Sequence, residues 1–142
     1  MLRGSLKTVL ENIEFCIKIG LWVEVTTLLV QGVNDNDEKI GEMARYFAEH
    51  FGKNVPWHLS AFYPNYKMLD TQSTPLDTLQ RAQKIAKGEG IKYVYLGNVG
   101  LHQNTLCPSC GDIAIKREGR AVEIFSKGGV CQKCGYRLEG VW

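Results

Sequence analysis

Apolar residues recur at intervals of three and four along residues 6–19: Leu6, Val9, Leu10, Ile13, Cys16 and Ile17, with Lys7, Glu11, Glu14 and Lys18 mostly opposite. That spacing predicts an amphipathic helix with one inward stripe. Gly20 closes it as a C-terminal glycine. Cys16 lies on the stripe and is expected to be a packed core residue, since a buried free cysteine behaves as a small hydrophobe. Residues 22–30 are rich in β-branched side chains and read as a largely buried strand. A turn follows at 31–35, where Asp35 with Glu38 resembles a capping box. A second helix is expected over about 36–51, its apolar face formed by Ile40, Met43, Ala44, Phe47 and Phe51. A second strand follows at 57–62. After a polar, aromatic-bearing loop at 63–73, Thr74 as N-cap and Pro75 at the first helical position predict a third helix with Leu76, Leu79, Ala82, Ile85 and Ala86 inward. A third strand at 92–96 ends at Gly97.

Helix and strand therefore alternate three times, which predicts parallel strands joined by right-handed helical crossovers. Three parallel strands make a thin sheet, and parallel sheets need cover on both faces. The order opens on a helix, so the segment reads as the last third of an α/β barrel or wound sheet, with an unpaired edge on the strand at 22–30 through which the chain could self-associate. In a barrel, chemistry sits at the C-terminal strand ends, here residues 31–35, 62–66 and 97–99. Glu24 and Thr26 share one face of their strand, and His58, Ser60 and Phe62 one face of theirs. In a barrel those faces would line the lumen; the plainer reading of His58 is a hydrogen-bonded core histidine.

From residue 107 the helical periodicity stops. Two short strands are expected at 113–117 and 121–125, around a turn at Glu118-Gly119. Bracketing them are Cys107-Pro-Ser-Cys110-Gly111 and Cys131-Gln-Lys-Cys134-Gly135, with twenty residues between the pairs. Two residues between ligands let a tight turn aim both sulfurs at one ion, and the glycine after each pair permits the left-handed backbone such a turn needs. Two of these knuckles make a tetrahedral four-cysteine site. Four thiolates leave no open coordination position, so structural zinc is the expected occupant. Rubredoxin-type iron for electron transfer, or a redox dithiol, are the alternatives. The expected division is 1–103 for the βα segment and 104–142 for a rubredoxin-like zinc ribbon.

Composition narrows the class. Of 142 residues, 44% are hydrophobic and 23% charged, which fits a folded chain rather than a disordered one. The formal net charge of +2 gives no electrostatic case for nucleic acid or a membrane surface. In the ribbon, Asp112, Glu118 and Glu123 interleave with Lys116, Arg117, Arg120 and Lys127, which favours a solvated surface over nucleic-acid binding. No apolar run approaches the roughly 20 residues of a membrane span. The start, Met1 to Lys7, lacks a signal-peptide core. Four of the five cysteines cluster near the end, unlike a secreted disulfide scaffold. The expectation is a soluble, cytoplasmic protein.

Several strings carry a family resemblance: residues 22–35 (Trp-Val-Glu-Val-Thr-Thr-Leu-Leu-Val-Gln-Gly-Val-Asn-Asp), 56–64 (Pro-Trp-His-Leu-Ser-Ala-Phe-Tyr-Pro), 93–99 (Tyr-Val-Tyr-Leu-Gly-Asn-Val), 104–111 and the terminal Gly140-Val-Trp142. Together they resemble the C-terminal part of radical S-adenosylmethionine enzymes related to pyruvate formate-lyase activating enzyme, in particular the AmmeMemoRadiSam-system branch. The resemblance implies the C-terminal portion of a partial (β/α)6 barrel plus the ribbon. It also implies a parent enzyme whose [4Fe-4S] cluster reduces S-adenosylmethionine to a 5′-deoxyadenosyl radical, which takes hydrogen from a glycine of a partner protein. By that analogy Val30, Asn34 and Tyr63 would lie nearest the ribose and adenine. The chain departs from the family at one point: it contains no Cys-x3-Cys-x2-Cys. It is therefore expected to be an enzyme fragment that is not catalytic alone. The rival readings are a stand-alone zinc-ribbon binding module and a rubredoxin-like electron carrier.

Overall fold

The computed structural model describes residues 4–142; the reading of Met1 to Arg3 lies outside the described residues. The elements are α1 (Leu6–Lys18), β1 (Val25–Leu29), α2 (Asp37–Tyr46) continued by a π-helical turn (Phe47–Phe51), β2 (Trp57–Ala61), α3 (Leu76–Gly88), β3 (Val94–Gly97), β4 (Thr105–Leu106), β5 (Ile113–Glu118) and β6 (Ala121–Ile124). Strands β1, β2 and β3 form one parallel sheet in that order, with Thr26, His58 and Tyr95 side by side across it. Strands β4, β5 and β6 form a second, antiparallel sheet. The chain is thus mixed α/β. Among the described residues the parallel sheet has three strands and does not close into a barrel.

One face of the parallel sheet carries the main core. Leu29, Trp57, Leu59, Ala61, Val94 and Leu96 point to it and meet Ile40, Ala44 and Phe47 of α2 and its extension, and Leu79, Ala82 and Ala86 of α3. Each fully buried Leu or Ile here contributes about 1.5–3 kcal/mol relative to an exposed position. The Trp57 ring stacks on Phe47 at 4.7 Å, and its indole N–H donates to Thr27 Oγ1 at 2.9 Å. The opposite face holds Thr26, Leu28, His58, Ser60 and Tyr95, all half-buried or exposed. The strand order never reverses, so right-handed crossovers place both connecting helices on the same side. Gly97 on the open face stands so close to Ser60 that a Cβ there would collide with Ser60 Oγ.

The structure corrects several local expectations. The first helix presents only a partial stripe: Leu10, Ile13 and Ile17 pack on the core, while Leu6 and Val9 are 73% and 50% exposed. Cys16 is half-buried rather than core. Asp35 does not cap α2; its carboxylate accepts from Gly32 N, and Asn36 is the cap, accepting from Lys39 N at 2.8 Å. The second helix does not stay α-helical to residue 51, since its last turn widens into the π form. Thr74 does not cap α3, which starts after Pro75. Its buried hydroxyl instead accepts from Phe62 N at 2.9 Å and donates to Leu29 O, tying the ends of β1 and β2 together. The first and third strands are shorter than the apolar runs, because Trp22 and Glu24 lie before the ladder begins and residue 93 precedes β3. Strand β4, two residues long, has no pattern of its own in the sequence.

Replacing Thr74 with valine keeps the volume but leaves Phe62 N–H and Leu29 C=O without their partner. An unsatisfied buried group costs about 1–3 kcal/mol. Chemical denaturation should show Thr74→Val less stable by about 2–4 kcal/mol, with Thr74→Ser close to the parent. Equal stabilities for the valine and serine variants would contradict this role.

Candidate functional site

The four-cysteine cluster is built by two turns with the same hydrogen bonds. In the first, Cys107 N donates to Asp112 O at 2.8 Å and Gly111 N to Cys107 O at 2.9 Å. In the second, Cys131 N donates to Tyr136 O and Gly135 N to Cys131 O, both at 2.9 Å. Gly111 and Gly135 have φ of +74° and +75°, the left-handed backbone expected after each pair. The four sulfurs lie within 4.8 Å of one another, with Cys107–Cys134 at 3.6 Å and Cys110–Cys131 at 3.7 Å. A tetrahedral ion with metal–sulfur bonds of about 2.3 Å needs sulfur–sulfur edges of about 3.8 Å. The donor set therefore fits a metal ion of the zinc or iron type.

The thiols divide in character. Cys107 and Cys131 are buried, Cys110 is half-buried and Cys134 is exposed. The Tyr136 N–H directed at Cys134, with the neighbouring sulfurs, pulls its thiol down to about 7. Cys110 receives the matching N–H from Asp112, yet burial and three adjacent sulfurs outweigh it and push the thiol up to about 12. Thiols this close lose protons one at a time, and an ion that binds all four as thiolates removes that conflict.

The ribbon is seated on the parallel sheet through β3. Tyr93 is buried with Cys107, Ala114, Cys131 and Leu138 in one cluster. Its hydroxyl accepts from Glu139 N at 3.1 Å, and burial first of all pushes that phenol up to about 12. Tyr95 meets Thr105 hydroxyl to hydroxyl at 2.9 Å, and the Arg117 guanidinium lies over its ring. Trp142 folds back over Gly129, where a Cβ would meet the indole at 2.5 Å.

Between the sheet's open face and the ribbon lies a cavity of about 460 Å³ walled by Trp22, Glu24, His58, Tyr95, Arg117 and Trp142 among others. His58 is therefore neither a core histidine nor a free one: Nε2 meets Glu24 Oε2 at 2.8 Å and the ring stacks on Tyr95. Trp22 donates its indole N–H to Glu24 Oε1 at 3.1 Å. Burial works to raise the Glu24 carboxyl, but the bonds from Trp22 and His58 prevail and hold it below its ordinary value. The cavity borders the N-terminal ends of the strands. The residues assigned by resemblance lie at the other end. Asn34 spans the end of β1, accepting from Val30 N at 2.8 Å and donating to Leu28 O at 3.0 Å. Tyr63 donates to Asn98 O at 2.9 Å, and Asn98, at φ +56°, donates to Ala61 O. Asn34 and Tyr63 thus share the C-terminal rim, with their polar groups engaged on its backbone. The sequence reading gave Thr74 and Arg117 other roles, a helix cap and a solvated surface charge, and singled out no role for Asn98; a non-glycine residue in a left-handed bend, as at Asn98, leaves no periodic signal.

No protein-family model matches the sequence. The chain is 37% identical over 142 residues to an uncharacterized protein of Methanocaldococcus jannaschii, a match that covers 96% of this chain and 43% of that protein. The chain thus spans less than half the length of this relative.

Two outcomes follow. Cys131→Ser should abolish stoichiometric metal in elemental analysis and remove hydrogen-exchange protection from β5 and β6, while β2 amides stay protected. Acidification should release the metal as protons compete for the thiolates; retention of full metal content by the variant would contradict the assignment. For Glu24, a carboxyl lowered in the fold adds stability above its unfolded pKa of about 4.3, lost as pH falls through the folded value. Glu24→Gln should cost under about 1 kcal/mol at neutral pH, the pair being half-exposed, with the difference vanishing in acid. A pH-independent difference in denaturation midpoints would assign the effect to packing instead.

Proposed function

We propose that this chain is the later part of a radical S-adenosylmethionine enzyme of the pyruvate formate-lyase activating type, carrying a structural zinc ribbon. The observation that supports this reading most is the winding of the parallel sheet. Strands β1, β2 and β3 follow in order without reversal, with helices on one face and the half-buried or exposed Thr26, Leu28, His58, Ser60 and Tyr95 on the other. Their following loops gather at one rim, where Asn34, Tyr63 and Asn98 stand. A doubly wound sheet would cover both faces; a slice of a (β/α)6 barrel leaves its inner face open. The strings of residues shared with that family run through both the sheet and the ribbon.

The cysteines present do not fit the cluster such chemistry requires. Four form a closed tetrahedral set, and Cys16 stands alone on α1. The radical reaction is therefore not assigned to this chain by itself, and its substrate, a glycine of a partner protein in activating enzymes, belongs to the whole enzyme. Four protein sulfurs leave no coordination position for water or substrate, which favours a structural ion, taken here as zinc, although iron suits the same shell. A colourless metalloprotein agrees with zinc; a red one with a rubredoxin-type spectrum would move the function to electron transfer. A cytoplasmic setting fits the reduced thiols.

The test uses the longer relative. After anaerobic iron–sulfide reconstitution, the M. jannaschii protein with S-adenosylmethionine and a reductant should release 5′-deoxyadenosine, and the present chain treated alike should not. A relative with no bound cluster and no cleavage would overturn the reading.

A further inference from the structure

Arg117 is a half-buried guanidinium that lines the cavity between the sheet's open face and the ribbon. Among the described residues it forms no ion pair. Its Nη1 donates to Gln103 O and to Thr105 Oγ1, both at 2.9 Å, which spends both hydrogens of that nitrogen. The N–H groups that remain include a parallel pair on Nε and Nη2. Such a fork matches the two oxygens of a carboxylate. The neighbouring groups on the same wall are donors too. Tyr95 and Thr105 meet hydroxyl to hydroxyl, so one proton of the pair is spent between them, and the other has no acceptor among the described residues. Thr105 is buried, where an unmade bond costs most. Gln103 accepts from Leu96 N through Oε1 at 2.9 Å, which leaves its Nε2 hydrogens without an acceptor among the described residues. This side of the cavity therefore holds a surplus of donors beside an unpaired positive charge.

The rest of the wall limits what can sit there. Trp22 and Trp142 line the cavity and are exposed. Each indole spends its N–H within the chain, on Glu24 Oε1 and on Leu138 O, so what it offers a ligand is ring surface. Ile115 and Ile124 add apolar area beside them. The acidic groups on the wall fix the charge. Glu24 is held by Trp22 and His58, and Glu139 accepts from Asn54 at 3.1 Å. With these carboxylates near a single guanidinium, a dianion is disfavoured and one negative charge is matched.

We propose that this cavity, about 460 Å³ in volume, binds a small aromatic monocarboxylate, its carboxylate on the Nε–Nη2 fork of Arg117 and its ring against Trp22 and Trp142. The combination of apolar walls with a few convergent polar groups is that of a small-molecule site. The site borders the N-terminal strand ends, away from the rim of Asn34 and Tyr63, and it goes beyond the functional reading above without resting on it.

The test is titration of the purified chain with phenylacetate, followed through the indole N–H resonances of its tryptophans. Trp57, stacked on Phe47 on the opposite face of the sheet, is the internal control. Phenylacetamide lacks the charge, acetate lacks the ring, and inorganic phosphate lacks the ring and carries more charge. The result expected is a saturable shift at Trp22 and Trp142 with Trp57 unmoved, and phenylacetate binding about ten-fold tighter than each of the other compounds. Arg117→Lys keeps the charge but removes the fork, and should weaken phenylacetate about ten-fold. Because Arg117 also braces Gln103 and Thr105, Trp142→Ala, read at Trp22, serves if that variant does not fold, with a loss of similar size. Equal affinity for the acid and the amide would overturn the proposal, as would unchanged affinity in Arg117→Lys. Phosphate binding as tightly as phenylacetate would overturn it in favour of a site for inorganic anions. The absence of any saturable shift at Trp22 and Trp142 would overturn it outright.

Discussion

The ribbon's core is small. Of the five buried residues at its centre, Cys107 and Cys131 belong to the four-cysteine cluster, and the others are Ala114, Leu138 and Tyr93, the last lent by the residue before β3. So few apolar side chains give the module little to hold it together. An ion bound by four thiolates would add on the order of 10 kcal/mol to its folding. What the ribbon supports then depends on the same ion. The β4–β5–β6 sheet carries Thr105 and Arg117 to Tyr95, and the segment after Cys134 carries Glu139 to Tyr93. Without the knuckles, nothing would hold these groups over the strands, and the wall of the cavity facing His58 would open.

The parallel sheet obeys a different constraint. Its strands run in sequence order, so the crossover rule puts both connecting helices on one side. The buried face is settled by Trp57, Leu59 and their helix partners. The other face carries mostly polar residues with Leu28 among them, and is partly covered at its N-terminal end by the ribbon. The two ends of that open face consequently differ. One is a cavity walled by Trp22, the Glu24–His58 pair and Arg117. The other is a rim of loops braced by Asn34, Thr74 and Asn98. The side chains at the rim that look most like ligand groups are spent on the backbone there, which makes the rim a stiff frame.

The sequence made some of this legible for identifiable reasons. Period-3.6 stripes placed α1, α2 and α3, and runs of β-branched residues placed the three parallel strands to within a few residues. The cysteine pairs with following glycines specified the four-cysteine cluster, because ligand spacing and left-handed turns leave a direct mark in the chain. What stayed hidden was whatever depends on long-range partners. Thr74 looks like a helix cap locally, and tertiary bonds to Leu29 and Phe62 claim it instead. His58 has the alternation of a lumen residue, but its pairing with Glu24 requires the register of β1 on β2. The two-residue strand β4 exists only because β5 offers it an edge.

The central claim is that the four cysteines hold one metal ion in a closed all-sulfur shell. X-ray absorption at the metal edge of the purified chain tests it most directly. The account expects about four sulfur neighbours at about 2.3 Å and no nitrogen or oxygen bound to the metal. A mixed sulfur and oxygen shell, or a chain that folds its ribbon with no bound metal, would contradict it.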